Sequence, residues 1–356
     1  MFGLYVALIV LAVCLYFKWS CSYWTRRGNV AGPKPLPIFG NLFEQLTGQK
    51  HFGEIFEEMY RAFPEASWVG YYKISNQPGI VVRDLELVRE VLTSSFSSFN
   101  QNDFHIDETI DPLVAYNPFV QAGDRWKERR NQMTSVFTMN RIRATFPLVQ
   151  QVAQDFVQFI ARTRKMDCHF EAKDAMYDNL SENGTVEANE NHIVGHSVTF
   201  LSEGFETSST MMSYLLYELA SNPAIQDKVV QELRTVMNES DAQLTEAGLH
   251  KLVYMEAAMM ETLRMHTPTF TLPRICTKDF ELPPQFPTDT KRVTLRSGTS
   301  VVIPVYAIHY DPEIYPSPYV FDPERFLEEN RQSRPRHAFL GFGEGPRLCL
   351  GKLFSH

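Results

Sequence analysis

The chain has 356 residues, and its 34 basic and 42 acidic side chains leave a formal net charge of −8. An acidic chain lacks the basic excess of a general nucleic-acid binder, so no nucleic-acid partner is expected. Hydrophobic residues make up 44% and charged residues 21%, which excludes a chain that is disordered throughout. Five cysteines without a CxxC pair argue against a disulfide scaffold and against a structural zinc cluster.

The N-terminus predicts a membrane anchor over residues 1–20, because its first 17 residues carry no charge. Basic residues follow this apolar run and none precedes it, so the positive-inside rule places the N-terminus in the lumen and the rest in the cytosol. A cleaved signal peptide is the alternative, but such peptides usually begin with basic residues. Residues 21–41 form a basic, proline-rich linker, in which Pro33, Pro35 and Pro37 exclude a helix and predict a stiff spacer.

Residues 42–356 are predicted to form one catalytic domain. Apolar spacing predicts mainly α-helix with a small β region. Asp84 can cap the helix that follows it, and Pro223 can occupy the first position of another helix. Predicted helices cover 84–92, 125–137, 189–221 and 251–265, and predicted strands cover 78–83, 293–295 and 299–305.

A glycine-rich loop around Cys349 carries the most specific chemical signal. Glycines at 341, 343 and 345 let backbone amides approach one point, and Arg347 adds a positive charge, which together favour a metal-ligating thiolate. The loop resembles the haem loop F-x-x-G-x-R-x-C-x-G of the cytochrome P450 family at every fixed position, through Phe342, Gly345, Arg347, Cys349 and Gly351. The resemblance implies the cytochrome P450 fold and haem b, with Cys349 as the axial iron ligand and Phe342 and Arg347 as cofactor-binding residues.

A second resemblance concerns Glu261-Thr262-Leu263-Arg264 and the segment Pro323-Glu324-Arg325-Phe326. Glu and Arg three residues apart meet on one face of a helix, which by itself is most often a surface ion pair. The family resemblance implies instead a buried network of Glu261, Arg264 and Arg325 with a structural role.

A third resemblance lies inside the long predicted helix. Gly204, Glu206, Thr207 and Ser208 match the family's pattern of Gly, any residue, acid, Thr and a hydroxyl, whereas Glu203 departs from the usual small residue. The alternative is a notch for helix packing. The resemblance implies a loosened helical turn in which Glu206 and Thr207 are catalytic and relay protons to iron-bound dioxygen.

Three more residues resemble family positions that bind a haem propionate. Trp126 and Arg130 fit the W-x-x-x-R pattern and lie one helical turn apart, and Arg274 occupies a similar position farther along the chain. Without the resemblance, Trp126 and Arg130 are ordinary cation–π packing or a solvated face.

The motifs keep the family's order, but two spacings are shorter. The distance from Trp126 to Thr207, 81 residues, is about half of the family's, and seven residues follow Cys349. The chain therefore resembles a truncated microsomal, insect-type member that lacks internal and C-terminal segments, with the internal junction where 170–174 runs into 181–185.

The resemblance implies a monooxygenase that inserts one atom of O2 into a lipophilic small molecule at the endoplasmic reticulum membrane, in contact with lipid and facing the cytosol. Its implied partners are an NADPH-dependent flavoprotein reductase and cytochrome b5. Lys127, Arg129 and Lys352 can supply a basic face for an acidic electron donor, and the alternative for each is an ordinary solvated charge. A haem-thiolate isomerase or peroxygenase is disfavoured by Glu206 and Thr207. A catalytically inactive membrane-anchored fragment is the other alternative, since segments are missing.

Overall fold

The computed structural model describes residues 2–134, 137–165, 191–239 and 245–352. It divides into two compact units, each built from separate parts of the chain. Unit 1 comprises 1–104, 269–311 and 336–347, and unit 2 comprises 105–268, 312–335 and 348–356. The architecture is mainly helical with a small sheet region, as apolar spacing predicts. The expected junction between 170–174 and 181–185 lies outside the described residues.

Helices outnumber strands in the described part of the chain. The α-helices are α1 (Phe2–Ser20), α2 (Tyr23–Arg26), α3 (Phe43–Leu46), α4 (Phe52–Ala62), α5 (Leu85–Arg89), α6 (Pro112–Ala115), α7 (Gly123–Thr134), α8 (Met139–Lys165), α9 (Asn191–Ser221), α10 (Pro223–Asn238), α11 (Glu246–Leu249), α12 (Val253–Met265) and α13 (Val305–His309). The strands are β1 (Trp68–Tyr72), β2 (Pro78–Val82), β3 (Leu272–Ile275), β4 (Phe280–Leu282), β5 (Val293–Leu295) and β6 (Ser300–Ile303).

Unit 1 is organised around a four-stranded mixed sheet in the order β1-β2-β6-β3. The β1–β2 and β6–β3 pairs are antiparallel, and the β2–β6 pair is parallel. Strand β5 pairs with β4 in a separate two-stranded sheet. Both strands predicted on either side of Ser297-Gly298 are therefore present, but they belong to different sheets. The parallel pairing aligns Gly79 with Ser300, and β3 aligns Arg274 with Val301.

The core of unit 1 forms where α4 packs on this sheet. Apolar residues of α4 are buried with sheet residues in a cluster that includes Ile55, Phe56, Tyr71, Val81 and Val302. A capping box begins α4: the His51 side chain accepts a bond from the Gly53 amide, and the Glu54 side chain accepts one from the His51 amide. These bonds fix the start of the helix whose apolar face supports the sheet.

Asp84 caps α5 as the sequence predicts, because its Oδ1 accepts a bond from the Leu87 amide at 2.8 Å. The α-helical part is shorter than the predicted 84–92, since a single π-helical turn covers Glu90–Ser94. This turn places the backbone of Leu92 beside the loop that precedes Cys349.

The predicted linker packs onto unit 1. Trp24 is 3% exposed, and its indole nitrogen donates to the Tyr71 carbonyl at 3.0 Å. Farther along, the Ala31 amide donates to the Gln285 side chain at 2.8 Å. These residues are thus part of the folded unit, where the sequence predicted a spacer.

Helix α1 leaves large apolar side chains such as Leu8, Ile9 and Leu15 more than half exposed. No helix among the described residues has both the length and the apolarity needed to cross a bilayer.

The described residues of unit 2 form helices and loops, with no strand among them. Helices α9, α10 and α12 share a core that includes Leu219, Val229 and Ala258, with Phe321 packed against them. Pro223 begins α10 at the first helical position, as predicted. Helix α12 ends at Met265, before Pro268, also as predicted.

Candidate functional site

The residues that precede Cys349 in the chain form a glycine turn in unit 1. Gly345 has a φ of 75°, and a Cβ there would lie 1.9 Å from the Leu92 carbonyl oxygen, so a side chain is excluded. Gly343 also has a positive φ, and the half-buried Phe342 lies just before it. The turn brings Arg347 to Asn100, whose carbonyl accepts a bond from the arginine Nε at 2.9 Å.

Cys349 itself belongs to unit 2 and reaches the surface on one side. Burial of the thiol raises its pKa, an effect opposed by bonds from the Gly351 and Lys352 amides and by the charge of Arg130. The sequence predicted amides that favour the thiolate, and the structure places two such amides after the cysteine. Because desolvation outweighs them, the free side chain is a thiol, and binding of a metal would have to displace its proton.

Helix α7 supplies the charge beside Cys349. Arg130 Nη2 donates to the Leu348 carbonyl at 2.5 Å, and burial lowers the pKa of this guanidinium. Trp126 lies one turn earlier on the same helix and is buried. Two of the predicted cofactor-binding residues are therefore presented by one short helix, and one of them touches the backbone next to Cys349.

Helix α9 carries the predicted proton-relay residues Glu206 and Thr207, both of which are exposed. The helix continues without interruption through them, so the loosened turn that the sequence predicted is absent from α9 as described. Instead, Thr207 Oγ1 donates to the Glu203 carbonyl, one turn earlier, at 2.5 Å. A Cβ at Gly204 would have no atom within 4 Å, so no packing neighbour among the described residues explains that glycine.

Glu203 was noted in the sequence only as a departure from the family, and the structure gives it specific contacts. Its Oε1 accepts a bond from Asn117 Nδ2 at 2.5 Å. Desolvation raises the pKa of this carboxyl, and the Asn117 bond opposes the shift. Its charge acts on Cys349 as well, where it raises the pKa of the thiol. Asn117 itself had no signal in the sequence.

Arg274 lies on β3 in unit 1 and is 3% exposed. Its Nη1 donates to Asn102 Oδ1 at 2.7 Å and to the Pro273 carbonyl at 3.0 Å. Its Nε is buried and has no hydrogen-bond partner among the described residues. Burial lowers the pKa of Arg274 to about 10, so the side chain is a buried cation at neutral pH.

Glu261, Arg264 and Arg325 contact one another in unit 2. The Arg264 guanidinium donates to Glu261 through two nitrogens at 2.7 and 2.8 Å, and both side chains are fully buried. Arg325 Nε lies 3.3 Å from Glu261 Oε1, and the Asp322 amide donates to the same oxygen at 3.1 Å. Burial raises the pKa of Glu261, and its bonds to Arg264 oppose that shift. The segment before and within 323–326 is thereby tied to α12.

The predicted cofactor residues fall into two groups. Unit 1 carries Arg274, Phe342 and Arg347. Unit 2 carries Trp126, Arg130, Glu206, Thr207 and Cys349. The boundary between the two units nearest to Cys349 is the peptide bond after Arg347. Features within each unit fit an anionic haem. In unit 1, a buried arginine has a nitrogen without a hydrogen-bond partner among the described residues. In unit 2, no described atom lies within 4 Å of a Cβ at Gly204, and Cys349 offers a sulfur with two amide donors.

Comparisons with known proteins agree with these observations. The family model described as Cytochrome P450 matches residues 30–182 and 166–356. The chain is 30% identical to "Probable cytochrome P450 308a1" of Drosophila melanogaster, with 99% of this chain and 88% of that protein covered. It is 29% identical to "Cytochrome P450 6B1" of Papilio polyxenes, with 96% and 87% covered, and 27% identical to "Cytochrome P450 6j1" of Blattella germanica, with 98% and 87% covered.

The same alignments show that the chain is shorter than these relatives within the matched region. The alignment with the Drosophila protein has 442 positions against 356 residues in this chain, so at least 86 positions have no counterpart in it. The two family matches meet between residues 166 and 182.

Proposed function

This chain belongs to the cytochrome P450 family, as an insect-type member and an oxygenase-type oxidoreductase. On that premise we propose that Cys349 holds a haem at which a lipophilic small molecule is oxidised with electrons from an NADPH-dependent reductase. The observation that carries the proposal is the Cys349 sulfur, which follows a glycine turn and accepts hydrogen bonds from two backbone amides. The haem supplies a redox-active iron that activates dioxygen.

The protein's own residues bind and orient the cofactor in this proposal. Cys349 would hold the haem through its sulfur after losing its proton, and the amides of Gly351 and Lys352 would keep the sulfur in place. From the family resemblance, Arg274, Arg347, Arg130 and Trp126 would bind the carboxylates of the haem, and Phe342 would pack against it. A buried cation such as Arg274 gains most from an anionic partner, because burial has removed its water.

Glu206 and Thr207 deliver protons in this proposal. The exposed Glu206 carboxyl exchanges protons with solvent, and the neighbouring hydroxyl of Thr207 passes them inward. Thr207 Oγ1 donates to the Glu203 carbonyl, which leaves its lone pairs as acceptors for an incoming proton. To pass a proton inward, the hydroxyl rotates its own proton away from the Glu203 carbonyl, and α9 itself stays unbroken.

A reduced carbon monoxide spectrum of the purified chain tests the proposal. A thiolate-bound haem gives a strongly red-shifted Soret band, and Cys349→Ala should abolish it, whereas the control Cys14→Ala on the exposed face of α1 should keep it. An unshifted band in the parental chain, or a shifted band in Cys349→Ala, would refute the ligand assignment. Failure of the folded chain to take up haem would support an inactive fragment.

We also infer that α1 attaches the chain to the endoplasmic reticulum membrane, with the remainder in the cytosol. Lys18 is the only charged residue of α1, and most of its large apolar side chains are exposed. Ile9→Arg places a charge in the middle of this apolar surface, at a cost of about 2.5–3.5 kcal/mol in a bilayer. The variant should shift the chain from the alkali-resistant membrane pellet to the supernatant, and Thr25→Arg should not. Equal pelleting of both variants would contradict the anchor.

For the electron donor we propose a basic face on unit 2 made by Lys127, Arg129 and Lys352, with cytochrome b5 as a second acidic partner. Lys127 and Arg129 lie on α7, next to the residues assigned to the haem. Charge pairs at the rim of a transient interface act mainly on the association rate, so Lys127→Glu/Arg129→Glu should slow reduction by the reductase most at low salt. A salt-independent effect, or none, would refute this face.

A further inference from the structure

Arg274 is a buried cation without a buried acid beside it. Among the described residues no carboxylate lies within ion-pair distance of its guanidinium, and its two hydrogen bonds end on uncharged oxygens. Burial depresses the pKa of Arg274 without any opposing charge, yet only to about 10, so the cation persists at neutral pH. An uncompensated buried charge is strongly destabilising, which points to an anion supplied by a ligand.

Asn102 is the side chain that orients this cation. Asn102 is 2% exposed, and its Oδ1 accepts a hydrogen bond from Arg274 Nη1 at 2.7 Å. The buried Nε of Arg274 has no hydrogen-bond partner in the described part of the chain. An amide oxygen accepts a hydrogen bond without neutralising the positive charge. A carboxylate in the same place would form an ion pair and satisfy Arg274 internally.

The segment around Asn102 is fixed on both sides. The Gln101 carbonyl accepts a bond from the Ile275 amide at 2.8 Å, next to Arg274 on β3. Asp103 Oδ2 accepts bonds from Lys73 Nζ and Ser300 Oγ, both at 2.6 Å. The one acid adjacent to Asn102 is therefore engaged by its own lysine, and Asn102 is held with little freedom to turn away from Arg274.

We propose that Asn102 is a positioning residue for the cofactor: it fixes one end of the Arg274 guanidinium while leaving the charge available to a haem carboxylate. This inference rests on the proposed haem function and deepens it. Because position 102 has an amide and not a carboxylate, Arg274 receives a hydrogen-bond acceptor there without a counter-charge. Asn102 acts through Arg274 and has no contact with the haem in this proposal.

The decisive variant is Asn102→Asp, which keeps the shape of the side chain and adds a counter-charge. In the haem-free chain this variant should raise the urea midpoint, because Arg274 gains an ion pair. In the loaded chain it should speed haem loss to excess apomyoglobin by about tenfold or more, because the new carboxylate competes with the haem carboxylate. With haem dimethyl ester, which has no carboxylates, the rates of parent and variant should be equal.

Asn76→Asp is the matched control, since Asn76 is also 2% exposed in unit 1, but among the described residues its side chain hydrogen-bonds to the backbone of Leu36 and Ile38 and to no cation. It should lower or preserve the urea midpoint and affect both haems alike. Parental stability and parental haem loss in Asn102→Asp would overturn the positioning role, as would equal acceleration with both haems. If the parental chain shows the thiolate Soret band but Asn102→Asp behaves as the parent, only this inference fails. If the parental chain takes up no haem, the proposed function fails with it.

Discussion

The buried carboxylate of Glu261 allows a quantitative test of the network that ties 318–325 to α12. Glu261→Gln keeps the size of the side chain but removes its charge. Arg264 then loses the carboxylate that binds two of its nitrogens, and Arg325 loses its partner at 3.3 Å. Arg264 is fully buried, so water cannot replace the lost interaction.

The expected cost follows from that burial. Removing one partner of a buried ion pair destabilises a protein by about 3–5 kcal/mol, because the other charge is left uncompensated. This corresponds to a roughly 140- to 4,000-fold change in the ratio of folded to unfolded chain, at about 1.4 kcal/mol per factor of ten. Desolvation of Glu261, which raises its pKa, reduces the net stabilisation by the intact ion pair. It does not reduce the cost of Glu261→Gln, because Arg264 stays buried there without its counter-charge.

Urea unfolding monitored by circular dichroism measures this cost, with Glu86→Gln as the control. Glu86 and Arg89 have the same i,i+3 spacing and a 2.8 Å contact, but their side chains are 72% and 41% exposed. Exposed pairs contribute little, so the control should unfold with the parent. Equal midpoints for Glu261→Gln and Glu86→Gln would refute the reasoning that burial, and not spacing, makes this network important.

Three further predictions concern single residues. Cys276 is buried, and desolvation raises its pKa to about 11, so the thiol loses its proton at lower pH in the unfolded chain than in the folded chain. The free energy of unfolding should therefore fall as pH rises from about 9 to 11, and it should fall less steeply in Cys276→Ala. Equal urea midpoints across this range would contradict the prediction. Gly204→Ala should stabilise the haem-free chain by about 1 kcal/mol, since a Cβ there has no described atom within 4 Å, and it should weaken haem binding. Unchanged haem affinity would mean that haem does not use this space. Thr207→Ala should keep the Soret band and release more hydrogen peroxide per NADPH consumed, and parental coupling would count against its role in proton delivery.

Local chemistry in the sequence determined a large part of this protein. The spacing of Phe342, Gly345, Arg347 and Cys349 predicts the ligand loop and the family, because glycines and a metal-ligating sulfur act over a few neighbouring residues, and the comparisons confirm the family. Helix periodicity predicted α7, α9 and α12 closely, since apolar faces repeat within each helix. The Asp84 cap is likewise a contact over three residues.

Tertiary structure decided what depends on residues far apart in the chain. Strand pairing assigned β5 and β6 to different sheets, which their adjacency does not reveal. The bond between Asn102 and Arg274 joins positions 172 residues apart, and it gives this cation a neutral side-chain partner that local sequence does not reveal. The raised pKa of Cys349 also follows from packing, because desolvation depends on every neighbour that excludes water and local sequence records only a few of them.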